Sequence, residues 1–115
     1  MELDIFYLAV IFTIVHQLDA IRCREWETLP ILSKLPKNKA SKIYIAAHLP
    51  LLYIVLIQGV KLQNESFQQG FAYVLIIHFI AHLLLLRDPQ NHFKDILSWS
   101  LIVGTALSAG LYLYY

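Results

Sequence analysis

The sequence has one cysteine, few charges and almost no surplus of either sign. Cys23 has no second cysteine to pair with, so an internal disulfide framework is excluded. The formal net charge is +1 and no basic stripe is visible, which argues against nucleic acid as a partner. The opening residues MELD are acidic where a secretory signal would be basic, and no small-residue cleavage site follows the first apolar run. That run is therefore expected to remain in the mature protein. There is no low-complexity tract and no internal repeat.

Apolar residues are what the chain does contain. They make up 58% of its 115 positions, with a mean hydropathy of +0.58, where soluble domains average roughly 45–50%. A soluble core of this size cannot absorb so much apolar surface. Charged residues amount to 15% and cluster largely between four apolar stretches, residues 3–21, 43–60, 70–86 and 96–115. Each is long enough for a helix rising ~1.5 Å per residue to cross ~30 Å of hydrocarbon. Strands are excluded because four short segments cannot close a barrel and an open edge cannot be satisfied in lipid. The expected fold is all-α, a single transmembrane domain over residues 1–115 built as a four-helix bundle in the lipid bilayer, with residues 22–42 as an interfacial loop.

Orientation follows from the basic residues. Arg22, Arg24, Lys34, Lys37, Lys39 and Lys42 fall in the first connection, Arg87 and Lys94 in the third, and Lys61 alone in the second. The positive-inside rule then puts the first and third connections in the cytoplasm and both termini on the non-cytoplasmic side. In the first connection, Leu29, Ile31, Leu32 and Leu35 alternate with polar residues, the pattern of a short amphipathic turn lying on the membrane surface. Pro50 removes a donor from the second segment and predicts a bend there. Ser100, Gly104 and Ser108 form a small-residue stripe suited to close helix packing, within the chain or in a homo-oligomer.

The histidines share a depth. His16 lies six residues before Arg22, His48 six after Lys42, and His78 and His82 nine and five before Arg87. All four therefore fall roughly 7–14 Å inside the cytoplasmic boundary. His16 and Asp19 (i, i+3) share a face, as do His78 and His82 (i, i+4), and ionisable groups at this depth turn to the bundle interior. The set His16, Asp19, His78 and His82, with His48 as an additional ligand or supporting partner, suits zinc, iron or another imidazole-binding transition metal. With an open coordination position, such a metal activates water for hydrolysis of a lipid or amphipathic substrate, with Asp19 or Glu25 as general base; an iron site performing oxidation is the close relative. His92, at the cytoplasmic mouth, is a weaker ligand candidate and reads rather as a solvated loop residue.

Three other readings use the same residues. The histidines can be interhelical hydrogen-bond partners in a non-enzymatic accessory protein or small transporter. They can form a proton relay with Asp19, or two of them, His48 with His78 or His82, can ligate haem. Asp19, Arg22 and Glu25 at three-residue spacing also fit an ion-pair ladder.

The motif HQLDAIRCREW, of the form H-x-x-D-A-x-x-x-x-E-W, with AHLPLLY, HFIAHLLL and NHFKDILSW, resembles a family of small uncharacterised bacterial membrane proteins over nearly the whole chain. It is also distantly similar to membrane proteins named for an H-x-x-E-E motif, where this chain reads HQLD. The resemblance implies a bacterial inner-membrane protein and no particular reaction.

Overall fold

Four helices account for most of the computed structural model, which describes residues 2–89 and 91–115. They are α1 (Glu2–Arg22), α2 (Lys37–Ile54), α3 (Glu65–Leu84) and α4 (Ile96–Tyr114), all long and apolar enough to cross a membrane. Among the described residues there is no strand. The helix starts have local causes. Asn64 accepts a hydrogen bond from the Phe67 backbone N–H (3.2 Å) and Asp95 one from Ser98 (2.9 Å), each satisfying an orphan donor of the first turn. Pro36 precedes α2, so α2 takes in Lys37, Lys39 and Lys42 before its apolar part begins.

The helices are apolar all round, and the structure shows what that surplus does. Ile11, Leu18, Leu49, Tyr53, Ile77, Leu84 and Leu107 are exposed on α1 to α4. Water-soluble helices of this length carry polar outer faces, so these side chains form a surface suited to lipid tails.

Packing is uneven. α4 is the centre of the bundle, lying closely against both α1 and α3, while α2 stands further off. At one end Phe6, Val10, Val55, Leu75 and Tyr112 form a core; at the basic end Ala20, Cys23, Trp26, Tyr44, Phe93 and Ile102 form another. The helix runs through Pro50 and then widens into a π-helical segment, Val55–Lys61. Gln68 donates to the Gly59 carbonyl in that segment (2.7 Å) and accepts from the Tyr112 hydroxyl (2.9 Å), tying α2, α3 and α4 together.

Gly104 is the close-packing point of the small-residue stripe. A Cβ there would overlap the ring of Phe12 on α1, so this position serves an internal contact. Ser108 is buried and turns its hydroxyl to the Gly104 and Thr105 carbonyls, while Ser100 faces outward. Gly104→Val is expected to cost about 1–3 kcal/mol through overpacking, read as a lower unfolding midpoint in detergent. Gly110→Val, whose Cβ meets open space, is the neutral comparison.

The first connection folds back onto the bundle. It contains two 3-10 turns, Glu25–Thr28 and Leu32–Lys34, and its Leu29, Leu32 and Leu35 pack beside the basic-end core. Ile31 is 79% exposed and points away.

Candidate metal centre

Three helix positions and one turn converge at the basic end. His16 on α1 and His78 and His82 on α3 direct their Nε2 atoms at one point. His78 Nε2 lies 3.2 Å from His16 Nε2 and 2.8 Å from His82 Nε2. Glu25 Oε2 is 3.7 Å from His82 Nε2 and 3.8 Å from His78 Nε2. One ligand atom from each of these four residues falls within 4.8 Å of all the others.

Imidazole chemistry makes this convergence informative. A ring nitrogen has one in-plane valence, either a proton or a lone pair. The Nε2 of His78 therefore cannot make two well-aimed hydrogen bonds, one to each neighbouring Nε2. Three lone pairs facing one point are stabilised by a cation; tetrahedral zinc with ~2.05 Å bonds sets its nitrogens ~3.3 Å apart. Glu25 adds a second observation. Its Oε2 is buried and has no hydrogen-bond partner, a costly state that a bound cation would relieve. The residues present thus fit a divalent metal by donor type, spacing and an unsatisfied carboxylate oxygen. His16 Nδ1 is also buried without a hydrogen-bond partner, and the structure offers no compensation for it.

Glu25 reaches the site through a reversal after α1. Arg24 adopts a left-handed conformation (φ 52°, ψ 52°), uncommon for a residue with a Cβ. The chain turns there, and Glu25 and Trp26 become buried. Burial pushes the Glu25 carboxyl up to about 7, while a hydrogen bond from the Tyr44 hydroxyl pulls it the other way.

Phe93 closes the other side. Its ring is 4.7 Å from that of His82 and 5.7 Å from that of His16. Three hydrogen bonds fix the loop that carries it: Asn91 Nδ2 to the Leu85 carbonyl (2.9 Å), Phe93 N–H to Asn91 Oδ1 (3.0 Å) and Trp99 Nε1–H to the Phe93 carbonyl (2.8 Å). His92 faces outward onto Glu27 Oε2 (2.9 Å) and the Arg24 guanidinium (3.2 Å), at the rim.

Of the residues expected in the ligand set, the structure brings together His16, His78 and His82, with Glu25 as the carboxylate. Asp19 is buried but turned to Arg22, whose Nε donates to it at 2.8 Å, and it lies 3.9 Å from the Cys23 thiol. Arg22 also reaches Asp95 (3.0 Å) and Ser98 (3.1 Å), tying the end of α1 to the start of α4. Of the expected ladder, then, the Asp19–Arg22 step forms, and Arg22 continues to Asp95 in place of Glu25. The reason is the turn at Arg24: once the helix ends, three-residue spacing no longer keeps Arg22 and Glu25 on one face. The Asp95 carboxyl is held below its usual range by hydrogen bonds from Ser98, and burial pushes the Cys23 thiol up, which keeps it unreactive.

His48 lies beside the site, within a hydrogen-bonded group of its own. Its Nδ1 donates to the Tyr44 carbonyl (2.7 Å) and its Nε2 is 3.0 Å from the Gln17 amide, which also meets the Tyr44 hydroxyl (3.1 Å). The Tyr44 hydroxyl donates to Gln17 Oε1, and the same oxygen meets His48 Nε2, so one amide on α1 engages both side chains of α2. Gln17 and Tyr44 are the residues that sequence reasoning did not single out. Gln17, polar inside an apolar run and adjacent to His16, was the available signal. Since the partners of ligating side chains fix their orientation, Tyr44→Phe is expected to weaken metal affinity about 10–100-fold without unfolding the protein, measured by competition with a chelating indicator.

The family model for a family of unknown function, DUF6713, matches residues 3–115. The chain belongs to that family. No curated protein and no solved structure matches it. The family covers nearly the entire chain, as the sequence resemblance implied for a family without an assigned activity, and it brings no reaction with it. The chemistry of this member therefore rests on its own side chains.

Proposed function

We propose that this protein is an integral membrane metalloprotein whose single divalent ion is held by His16, His78 and His82, with Glu25 as fourth ligand or as base. The convergence of three Nε2 atoms on one point beside an unsatisfied carboxylate oxygen carries this reading. Zinc and iron both suit the donors, since three imidazoles with a carboxylate belong to the ligand types each takes. Held by these residues with one position open, such an ion would lower the pKa of bound water to about 7 and so supply a nucleophile for hydrolysis. Glu25 would then accept the proton. Asp19, engaged by Arg22, is the less available base, and His48 acts through Gln17 and Tyr44.

A bare ion is favoured over haem by spacing. Two axial nitrogens must stand ~4 Å apart with a macrocycle between them, whereas the cluster's nitrogens are 2.8 and 3.2 Å apart and His48 is engaged with Gln17. The rival is a proton relay or hydrogen-bonded accessory role, and the His48–Gln17–Tyr44–Glu25 chain favours it. Metal analysis of protein purified in detergent without chelator separates the two: near-stoichiometric zinc or iron supports the centre. Less than about a tenth of an equivalent, with no uptake on adding either ion, sinks it.

The basic end is assigned to the cytoplasm on the strength of eight of nine Lys and Arg lying there, and the sequence resemblance supports a bacterial inner membrane with the site at its inner face. Reporter fusions at both termini are expected to read as non-cytoplasmic. A cytoplasmic signal from either end overturns the orientation.

A further inference from the structure

The site is bordered by a cavity of about 480 Å³ between α1, α2 and α3, walled by Val10, Ile14, Val55, Gly70 and Val74 and ending at His78. It exists because α2 stands away from the bundle. Along α1 its lining runs from Val10 to Gln17 and along α3 from Phe67 to His78, so it is about 10–16 Å long at the rise of a helix. Leu51, Ile54 and Val74 at its edge are exposed, so it opens sideways between α2 and α3 at the depth of the lipid tails. A second cavity of about 280 Å³, bordered by Glu25, Tyr44 and His48, shares Gln17 and Leu51 with the first.

The polarity along this space is one-sided. The Thr13 hydroxyl is spent on the Ala9 carbonyl (2.7 Å), which leaves Gln17 and His78 as the polar groups of the larger cavity, both towards the cluster. A helix, about 10–12 Å across, is too wide for the larger cavity, and water gains few partners on its walls. A narrow apolar space, open to lipid and closed at one end by metal-ligating and hydrogen-bonding groups, matches a molecule with one hydrocarbon chain and one polar head.

We infer that the cavity between α1, α2 and α3 holds the hydrocarbon chain of a single-chain amphiphile whose polar head lies at the His16, Glu25, His78 and His82 cluster. The placement of the head rests on the metal reading above; the placement of the chain rests on the cavity alone. A chain gains little by passing from lipid into an apolar cavity, because lipid tails are as apolar as the walls. Specific occupancy therefore comes from the head, and the cavity selects for a head bearing one chain of suitable length.

Gly70 provides the test. Gly70 lines the cavity and a Cβ there meets nothing within 4 Å, so Gly70→Phe brings a ring to one wall from an unobstructed start and also removes a helix-weakening glycine. Gly110→Phe on α4, equally open and outside the cavity lining, is the control. Each protein, in phosphatidylcholine vesicles, is irradiated with a fatty acid carrying a photoreactive group on its chain, and the labelled peptides are mapped. Labelling of residues 10–17 and 70–78 that excess unlabelled long-chain fatty acid displaces is expected in the parent protein and in Gly70→Phe's control. In Gly70→Phe it is expected to fall at least about fivefold, because the ring takes volume that the chain would fill, while metal content stays at the parent level.

Equal, undisplaceable labelling in all three proteins overturns the chain site even when metal is bound normally. Absence of metal from the parent protein overturns the placement of the head, and the labelling then decides the chain site by itself. Displaceable labelling that is lost in both variants alike assigns the chain to another surface and also overturns the proposal.

Discussion

Protein carrying His78→Ala is expected to retain less than about a tenth of an equivalent of metal where the parent retains about one, because the central donor of the cluster is gone. His78 Nε2 is the atom that touches both other imidazole nitrogens, at 3.2 and 2.8 Å, so its loss removes the donor that joins His16 to His82 and leaves two imidazoles and Glu25. The binding energy at stake is large. Structural zinc sites are worth on the order of 10–16 kcal/mol in apparent terms at neutral pH, and each ligand removed forfeits a major share. His92→Ala, which disturbs a rim contact with Glu27, is expected to bind metal as the parent does. Equal retention in the two variants would overturn this ligand set. His16→Ala and His82→Ala should repeat the His78 result, whereas His48→Ala should show the smaller effect of a residue acting through Gln17.

The second large effect is on stability and its dependence on pH. The Glu25 carboxyl is raised from its ordinary 4.5 to about 7 by burial, so in metal-free protein the folded state holds this proton more tightly than the unfolded state does. The resulting stabilisation is complete below about pH 4.5 and is lost as pH rises through about 7. The difference corresponds to something on the order of 3 kcal/mol. Metal-free protein should therefore lose thermal stability across that window, and Glu25→Gln, which cannot ionise, should flatten the profile. Metal reverses the sign, because the ionised carboxylate becomes a partner for the cation. Added zinc is expected to raise the unfolding midpoint most above pH 7 and least near pH 5, where proton and metal compete for the ligands. A midpoint that rises with pH in metal-free protein, or one that Glu25→Gln leaves unchanged, would overturn the assignment of this titration to Glu25.

Both expectations turn on how the chain arrives at its site, and this separates what was legible from what was not. The two histidines of α3 were legible, since i, i+4 spacing on a helix puts them on one side. His16 was legible by depth, because a polar residue six positions inside a charged boundary has to turn inward. Asp19 shared that depth and spacing but was claimed by Arg22, a contact that also follows from three-residue spacing. Two valid local rules competed for one carboxylate, and the packing of α1 against α4 favoured the ion pair by bringing Asp95 and Ser98 to the same guanidinium.

The sequence by itself determined four apolar helices, their approximate extents, the charge bias between their ends and the histidine layer, because length, hydropathy and helical period are local properties. The tertiary structure alone decided which carboxylate faces the histidines. That choice depends on a left-handed backbone at Arg24, which no local preference announces, and on Tyr44 from a helix some twenty residues away meeting Glu25. It also decided that α2 stands off from the bundle and leaves a chain-sized cavity beside His78. Helices that are apolar on every face do not record in their sequence which face meets protein and which meets lipid.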